Sequence, residues 1–248
     1  HGDDRRQRQM CIRDSPWRDK YKRLRENKVD FGFFLRFNKK LQNMSPDEFI
    51  DKILSKLNIK YLMVGDDFKF GKERSGDFDF LSDWGSNNQI EVDRIPTYSF
   101  EGRRVSSTWI RESIADGNFD LAAKLLDRRY TFSGKVVFGN KVGRTIGVPT
   151  ANIWVPKSNL PIKGVYAVKA LVKGETFNGI ANMGVRPTVG GTSPVLEIHI
   201  FDFNEEIYGC RIEVEFYQKI RDEKKFENLD KLKEQINLDI AETRKYFS

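Results

Sequence analysis

The chain has 248 residues, 39% hydrophobic and 12% aromatic, which excludes an intrinsically disordered protein and provides enough apolar side chains for a sizeable core. No run of about 18 apolar residues occurs, so no membrane-spanning helix and no membrane partner are predicted. The net charge is +7 and the pI about 9.3, but residues 1–28 carry +5 and the other 220 residues only +2. A basic surface for nucleic acid is therefore not predicted.

The N-terminal segment, residues 1–17, has neither apolar periodicity nor the apolar stretch of a signal peptide. We predict that it is a non-native or disordered tail, with a disordered basic arm as the alternative. Cys11 and Cys210 have no pairing pattern, which suits a reducing compartment and predicts a cytoplasmic protein.

Residues 18–127 alternate between helical and strand patterns. Ser45, Pro46 and Glu48 form a capping box that predicts a helix continuing through Leu57. The apolar run that ends at Gly65 predicts a buried strand. Two short helices are predicted next, one capped by Ser106 or Ser107 and ending at Gly117, the other spanning 118–128. A helix, a buried strand and a glycine-bearing loop in succession predict part of an α/β sheet domain.

From Tyr130 onward the pattern changes to short strands, with turns at Lys173-Gly174 and at Asn204-Glu205. Such spacing predicts a small antiparallel β-barrel. Leu229, Leu232, Ile236 and Ile240 share one face of a predicted C-terminal helix that packs on this barrel. The predicted fold class is thus α+β with two domains, and the domain boundary falls between residues 127 and 128.

The segment 134–152 carries the chemistry. Its four glycines allow backbone N–H groups to approach a phosphate, and Lys141 and Arg144 add positive charge. Thr150 and Asn152 offer two neutral oxygens on one side of an extended segment, which suits Mg²⁺ shared with ATP. No Walker A motif occurs. Because glycine-rich turns are common in β proteins, the residues alone leave open whether this segment binds phosphate or is an ordinary turn.

The sequence GNKVGRTIGVPTAN resembles the riboflavin kinase signature G-x-x-x-G-R-x-x-G-x-P-T-A-N, and NMGVRPTV, LEIHIFDF and IRDEKKF follow in the order typical of that family. The resemblance covers about residues 121–248 and implies transfer of the γ-phosphate of ATP to riboflavin, giving FMN. It implies that Glu197 is the catalytic base and that Thr150 and Asn152 hold Mg²⁺. The implied ATP-binding residues are Gly139, Lys141, Arg144, Thr150 and Asn152; the implied flavin-binding residues are Arg186, Arg221 and Phe226.

The strand pattern around Glu197 agrees with that role. Leu196, Ile198 and Ile200 alternate with Glu197 and His199, so the carboxylate lies opposite the apolar face, among partly aromatic neighbours. Desolvation there raises its basicity. The alternative is a structural Glu197 paired with Arg186 or Lys169. We expect His199 to make a structural hydrogen bond.

The N-terminal half resembles the FMN adenylyltransferase (FAD synthetase) domain of bacterial bifunctional riboflavin kinase/FAD synthetases. The segments LMVGDDFKFGKERSGD and VSSTWIR carry this resemblance, with Asp66 standing where an apolar or aromatic residue is usual. The implied partial nucleotide site comprises Gly65, Asp67, Phe68, Arg74, Ser107, Thr108 and Arg111. The H-x-G-H motif of that family is absent, since the chain's two histidines are His1 and His199. The resemblance implies an α/β nucleotidyltransferase-like (Rossmann-like) fold, which we expect to be incomplete here. We therefore expect a truncated domain and an enzyme that makes FMN but not FAD.

Two alternatives belong to other classes. A non-catalytic flavin-binding module on the same barrel would need neither a base nor metal ligands, and it would retain riboflavin without turning over ATP. A barrel-type nucleic-acid binder would need aromatic residues interleaved with Lys and Arg on one strand face, a pattern that is not found.

Overall fold

The computed structural model describes residues 17–139, 147–155, 161–188 and 191–248. They form two compact units. One spans Val29–Val105, and the other contains Ser106–Ser248 together with the first described helix, α1 (Trp17–Glu26).

The Val29–Val105 unit is built from short helices and a small parallel sheet. Its elements are α2 (Lys39–Gln42), α3 (Pro46–Lys52), a 3₁₀ turn (Leu54–Lys56), β1 (Tyr61–Gly65), a second 3₁₀ turn (Lys72–Arg74), α4 (Phe78–Asn87), β2 (Glu91–Ile95), and a hairpin of β3 (Ser99–Phe100) and β4 (Arg103–Arg104). β1 and β2 pair in parallel, as an α/β fold requires.

The helix at Ser45 begins as predicted but ends earlier. The Ser45 hydroxyl accepts a hydrogen bond from the Glu48 N–H, and the Glu48 carboxylate accepts one from the Ser45 N–H. The prediction that the helix continues through Leu57 was wrong, because Ile53 leaves helical geometry and a 3₁₀ turn follows. Residues three apart share a face in a 3₁₀ turn, so Leu54 and Leu57 remain half-buried without an α-helix.

Strand β1 is less buried than predicted. Val64 packs in a small core with Ile50, Phe70 and Leu81. The side chain of Met63 points to the other face, where the residue is 48% exposed. Within the described residues, the sheet has two strands and a core on one face, which explains why a run read as fully buried is buried on one side only.

The second unit is organised around a closed antiparallel barrel of six strands, in the order β10-β5-β6-β9-β8-β7. The strands are β5 (Thr131–Val137), β6 (Ala151–Trp154), β7 (Gly164–Val172), β8 (Glu175–Thr188), β9 (Gly191–Ile200) and β10 (Arg211–Arg221). β7 and β8 meet at the predicted turn, where Lys173 and Gly174 both have positive φ. The turn predicted at Asn204-Glu205 was wrong: turns form at Phe201–Asp202 and Tyr208–Gly209, where Asp202 and Gly209 supply positive φ.

Three helices complete this unit: α5 (Ser107–Ala115), α6 (Phe119–Leu126) and α7 (Leu229–Phe247). Ser106 caps α5 and Gly117 follows its end with φ +77°, as predicted. Ile114, Phe119 and Ala122 of α5 and α6 belong to the barrel core. This compact unit has a continuous stretch from Ser106 onward. The domain boundary at 127/128, placed where the sequence pattern changes to strands, stays a prediction.

Candidate active site

A cavity of about 380 Å³ lies against the barrel and helix α7. Its apolar lining includes Val165, Ile180, Phe226, Leu232 and Ile236. Its polar lining includes Thr150, Asn182, Glu197, His199, Arg221 and Asp239. Apolar walls with a few converging polar groups are typical of a small-molecule site. The cavity brings together Thr150, Glu197, Arg221 and Phe226, which lie far apart in the sequence.

The register of the barrel strands places Glu197 in a row of polar residues on neighbouring strands. Glu197 of β9 lies directly opposite Asn152 of β6 on one side and Asn182 of β8 on the other. Directly opposed residues of antiparallel strands project their side chains to the same face. The neighbours of Glu197 along the strand, Leu196 and Ile198, are fully buried in the core. The predicted alternation is thus correct, and the carboxylate stands on the cavity side, flanked by two amides.

His199 supports the loop that leads into β6. Its Nδ1 lies 2.8 Å from the backbone oxygen of Pro149. Because a carbonyl oxygen can only accept, Nδ1 carries the proton in this contact. The expected structural hydrogen bond is present, and it holds Pro149, the residue before Thr150, in place.

Asn152 and Gly139 fit tightly together. Asn152 is only 5% exposed, and its Oδ1 has no hydrogen-bond partner among the described residues. A Cβ atom at position 139 would lie 2.3–2.6 Å from the Asn152 amide group, so the packing requires glycine there. An unsatisfied buried acceptor costs about 1–3 kcal/mol. The cost is removed if a ligand supplies a positive charge.

The oxygens of Thr150 and Asn152 suit a Mg²⁺ ion that is shared with a substrate better than a metal ion that is held by protein ligands alone. Across the ranges that the structure describes, no cluster of three or more His, Cys, Asp or Glu could hold a metal ion. Mg²⁺ takes oxygen ligands and commonly shares its coordination shell with substrate phosphates, so two neutral protein oxygens are a suitable contribution.

Arg221 and Phe226 form one wall of the cavity. The guanidinium carbon of Arg221 lies 5.6 Å from the centre of the Phe226 ring. Leu232 and Ile236 of α7 contribute the adjoining apolar surface. A flat, mixed cationic and aromatic wall can hold a planar ring system.

Five predicted residues of the kinase site are not among those that line the cavity: Gly139 and Asn152 are described but lie outside its lining, and three others cannot be placed. Lys141 and Arg144 lie outside the described residues. Arg186 pairs with Ser193 in the β8–β9 register, and its side chain lies outside the described part of the structure.

The predicted adenylyltransferase residues fall in both units. Gly65, Asp67, Phe68 and Arg74 lie at the end of β1 and in the segment after it, within the Val29–Val105 unit. Ser107, Thr108 and Arg111 lie in the first turns of α5, in the barrel unit, and Ser107 and Thr108 are exposed.

The unusual Asp66 has a structural explanation. Its carboxylate accepts hydrogen bonds from Thr97 and, at 2.8 Å, from Arg104. The Thr97 hydrogen bond, assisted by Arg104, holds the pKa of the Asp66 carboxyl below its usual range. Asp66 therefore ties the segment after β1 to the residues that follow β2.

Sequence reasoning missed Asn182 and Asp239 as cavity residues. Asn182 could not be identified, because only the barrel register brings it next to Glu197. Asp239 could have been identified from the sequence. It shares one helical face with Ile236, Ile240 and Thr243, so its carboxylate lies on the packed face of α7.

The barrel, its P-T-A-N strand and the cavity beside Glu197 define a riboflavin kinase domain. The family model described as riboflavin kinase matches residues 126–247, and the one described as FAD synthetase matches residues 6–109. The chain belongs to the bifunctional riboflavin kinase/FMN adenylyltransferase family. The FAD synthetase match begins inside the segment 1–17, whose assignment as a tail stays a prediction.

Relatives in that family match most of the chain. The Haemophilus influenzae enzyme is 45% identical over 233 residues, covering 93% of this chain and 76% of the relative. The Pseudomonas fluorescens enzyme is 44% identical over 218 residues, covering 87% and 70%. A Streptococcus pneumoniae crystal structure, described as a macrolide-efflux protein, matches with a TM-score of 0.79 and 32% identity, over 93% of this chain and 75% of that one. Among the described helices, none has both the length and the apolar character needed to cross a membrane.

Proposed function

We propose that the cavity binds riboflavin and that this chain transfers the γ-phosphoryl group of Mg-ATP to the riboflavin 5′-hydroxyl, releasing ADP and FMN. The observation that carries the proposal is the convergence of Glu197, Thr150, Arg221 and Phe226 on one cavity of about 380 Å³. That volume lies in the range of small-molecule sites. Membership of the family supports the same substrates, riboflavin and ATP.

Glu197 is the proposed general base. Its carboxylate takes the proton from the 5′-hydroxyl as the oxygen forms its bond to the γ-phosphorus and the bond from that phosphorus to ADP breaks. Asn152 and Asn182, opposite Glu197 on both neighbouring strands, limit the directions in which the carboxylate can turn. Phosphoryl transfer needs mainly positioning and charge stabilisation, so one base and a fixed acceptor suffice.

Thr150 and Asn152 are the proposed protein ligands of Mg²⁺. When bound, the ion neutralises the charge on the phosphates. His199 holds the loop at Pro149 so that the Thr150 hydroxyl faces the cavity, and Gly139 leaves room for the Asn152 amide. Gly139, Lys141 and Arg144 are proposed to bind the nucleotide.

The first prediction tests the activity itself. We expect FMN to form from riboflavin only when ATP and a divalent cation are both present. The side chains of Thr150 and Asn152 are uncharged and cannot neutralise the phosphates without the ion. Chromatographic separation of riboflavin and FMN measures this. Folded protein that binds riboflavin but forms no FMN would support the non-catalytic flavin-binding module instead.

The second prediction concerns Thr150→Ala. We expect the Mg²⁺ concentration for half-maximal rate to rise by roughly tenfold or more, since losing even an outer-shell partner of a metal costs about that much. Titration of Mg²⁺ at saturating ATP measures the change. Thr176→Ala is the control, because Thr176 is exposed on β8 and does not line the cavity. An unchanged Mg²⁺ dependence in the Thr150 variant would remove this hydroxyl from the metal site.

We further propose a nucleotide-binding role for Gly65, Asp67, Phe68 and Arg74 in the Val29–Val105 unit. The same role is proposed for Ser107, Thr108 and Arg111 in the barrel unit. Support comes from the FAD synthetase match over residues 6–109, which includes all of them except Arg111. The N-terminal turn of α5 offers N–H groups suited to phosphate oxygens.

A further inference from the structure

Arg221 is held by a buried ion pair with Asp239 of helix α7. Nε of Arg221 lies 3.0 and 2.9 Å from the two carboxylate oxygens, and Nη2 lies 2.7 Å from Oδ2. The side chains are only 14% and 4% exposed. Two-point contact between a guanidinium and a carboxylate fixes the orientation of the guanidinium plane as well as its position.

Asp239 is itself held in place from its own helix. Gln235, one turn earlier, donates a hydrogen bond of 2.8 Å from Nε2 to Oδ1 of Asp239. Arg221 donates a further hydrogen bond of 2.9 Å from Nη1 to the backbone oxygen of Asp222. The guanidinium beside Phe226 is therefore fixed from two sides, by helix α7 and by the backbone of the next residue, Asp222.

We propose that Asp239 is a positioning residue for flavin binding, acting through Arg221. This inference rests on the proposed riboflavin site. The Asp239 carboxylate orients the Arg221 guanidinium along the wall shared with Phe226 and neutralises its charge, so that the wall suits an uncharged planar ring. Helix α7 thereby becomes part of the binding site and not only a cover for the barrel, since it also supplies Leu232 and Ile236.

The physical reason lies in the burial of the pair. A buried guanidinium without its carboxylate is an uncompensated charge, and it turns toward solvent or draws water into the cavity. Either response removes the flat wall. A purely structural role for the pair would instead lower stability and leave flavin affinity of the folded protein unchanged.

The test is Asp239→Asn, which keeps the shape of the side chain and removes its charge. We expect the riboflavin Kd, measured by flavin fluorescence without ATP, to rise about 30-fold or more, the lower end for loss of one partner of a buried charge pair. Lumiflavin has the tricyclic ring but no ribityl chain, and we expect it to lose affinity by the same factor. The KM for ATP is expected to stay within about twofold. Asp239→Glu retains the charge and is expected to recover part of the affinity.

Asp202→Asn is the matched control. Asp202 also forms a two-point ion pair with an arginine of α7, Arg244, at 3.0 and 2.9 Å. That pair is exposed, with 77% and 49% of its side chains accessible, and it does not line the cavity. Its loss is expected to leave the riboflavin Kd unchanged.

The outcomes separate the two proposals. Wild-type protein that binds no riboflavin would refute the proposed function. Wild-type binding with an unchanged Kd in the folded Asp239→Asn variant would refute the positioning role alone, even if its Tm falls. If the Asn variant does not fold, Arg221→Lys gives the comparison, because it keeps the charge pair but removes the planar guanidinium that Asp239 orients. A wild-type Kd of that variant for both riboflavin and lumiflavin would refute the positioning role.

Discussion

Glu197→Gln is expected to lower kcat for FMN formation by roughly 10²–10⁴-fold, the usual range for the loss of a general base. Glutamine keeps the size and hydrogen-bonding reach of the side chain but cannot take a proton from the 5′-hydroxyl. The affinity for riboflavin is expected to change little, because Arg221, Phe226 and the apolar wall are untouched. Steady-state kinetics with varied riboflavin and a separate binding titration measure the two effects.

The matched control is Glu215→Gln. Glu215 is a half-buried carboxylate on β10 of the same barrel, accepts a hydrogen bond from Tyr217 and does not line the cavity. We expect its replacement to leave kcat within about twofold, since only a carboxylate next to the acceptor hydroxyl can serve as base. If the Glu197 variant keeps turnover near that of the control, Glu197 is structural and the base lies elsewhere.

Much of the barrel could be predicted because its strands are short segments, either continuously apolar or alternating, separated by turns. The apolar run of β7 matches the observed strand Gly164–Val172, and the alternation around Glu197 places Leu196 and Ile198 in the core. Strand β6 was not identified as a strand. It has only four residues, Ala151–Trp154, and lies within a segment rich in glycine and proline, so no period can be read from it. Its place in the sheet comes from pairing with β5 and β9.

The site was predictable only in part. The roles given to Arg221 and Phe226 came from family resemblance alone. For Thr150 and Glu197, residue type and strand spacing pointed to the same roles as the resemblance. The contribution of Asn182 depends on barrel register, a tertiary property that no local pattern encodes. Helical spacing assigns Asp239 to the packed face of α7, but its pairing with Arg221 is again a tertiary property.

The unit Val29–Val105 was predicted less well, for a physical reason. The sequence of β1 has the apolar character of a strand covered on both faces, yet Tyr61 and Met63 are 46% and 48% exposed. The hydrophobic pattern of a segment indicates whether its side chains suit a buried or an exposed position. Burial also depends on which other elements pack against it.

The largest qualitative effect is expected for the second reaction of the family, the transfer of an adenylyl group from ATP to FMN. Supplied with FMN, ATP and Mg²⁺, a polypeptide of this sequence is expected to release no FAD. In the adenylyltransferase family that the N-terminal half resembles, the histidines of an H-x-G-H motif stabilise the α-phosphate during transfer. This sequence contains two histidines, His1 and His199, and no such motif. His199 lies on β9 and its ring bonds Pro149, so it cannot substitute. Without an imidazole at the α-phosphate, charge developing in the transition state is not offset.

Chromatographic separation of FMN and FAD after incubation measures this expectation, and parallel formation of FMN from riboflavin shows that the same preparation is active. Traces of FAD from a contaminating enzyme would be the same in every variant. Arg111→Ala therefore serves as the discriminating variant, because Arg111 is one of the residues proposed to bind nucleotide and does not line the riboflavin cavity. FAD formation that depends on the protein and is lost in Arg111→Ala would contradict the prediction. It would mean that adenylyl transfer proceeds without the histidine motif, with Arg111 offsetting the charge at the α-phosphate.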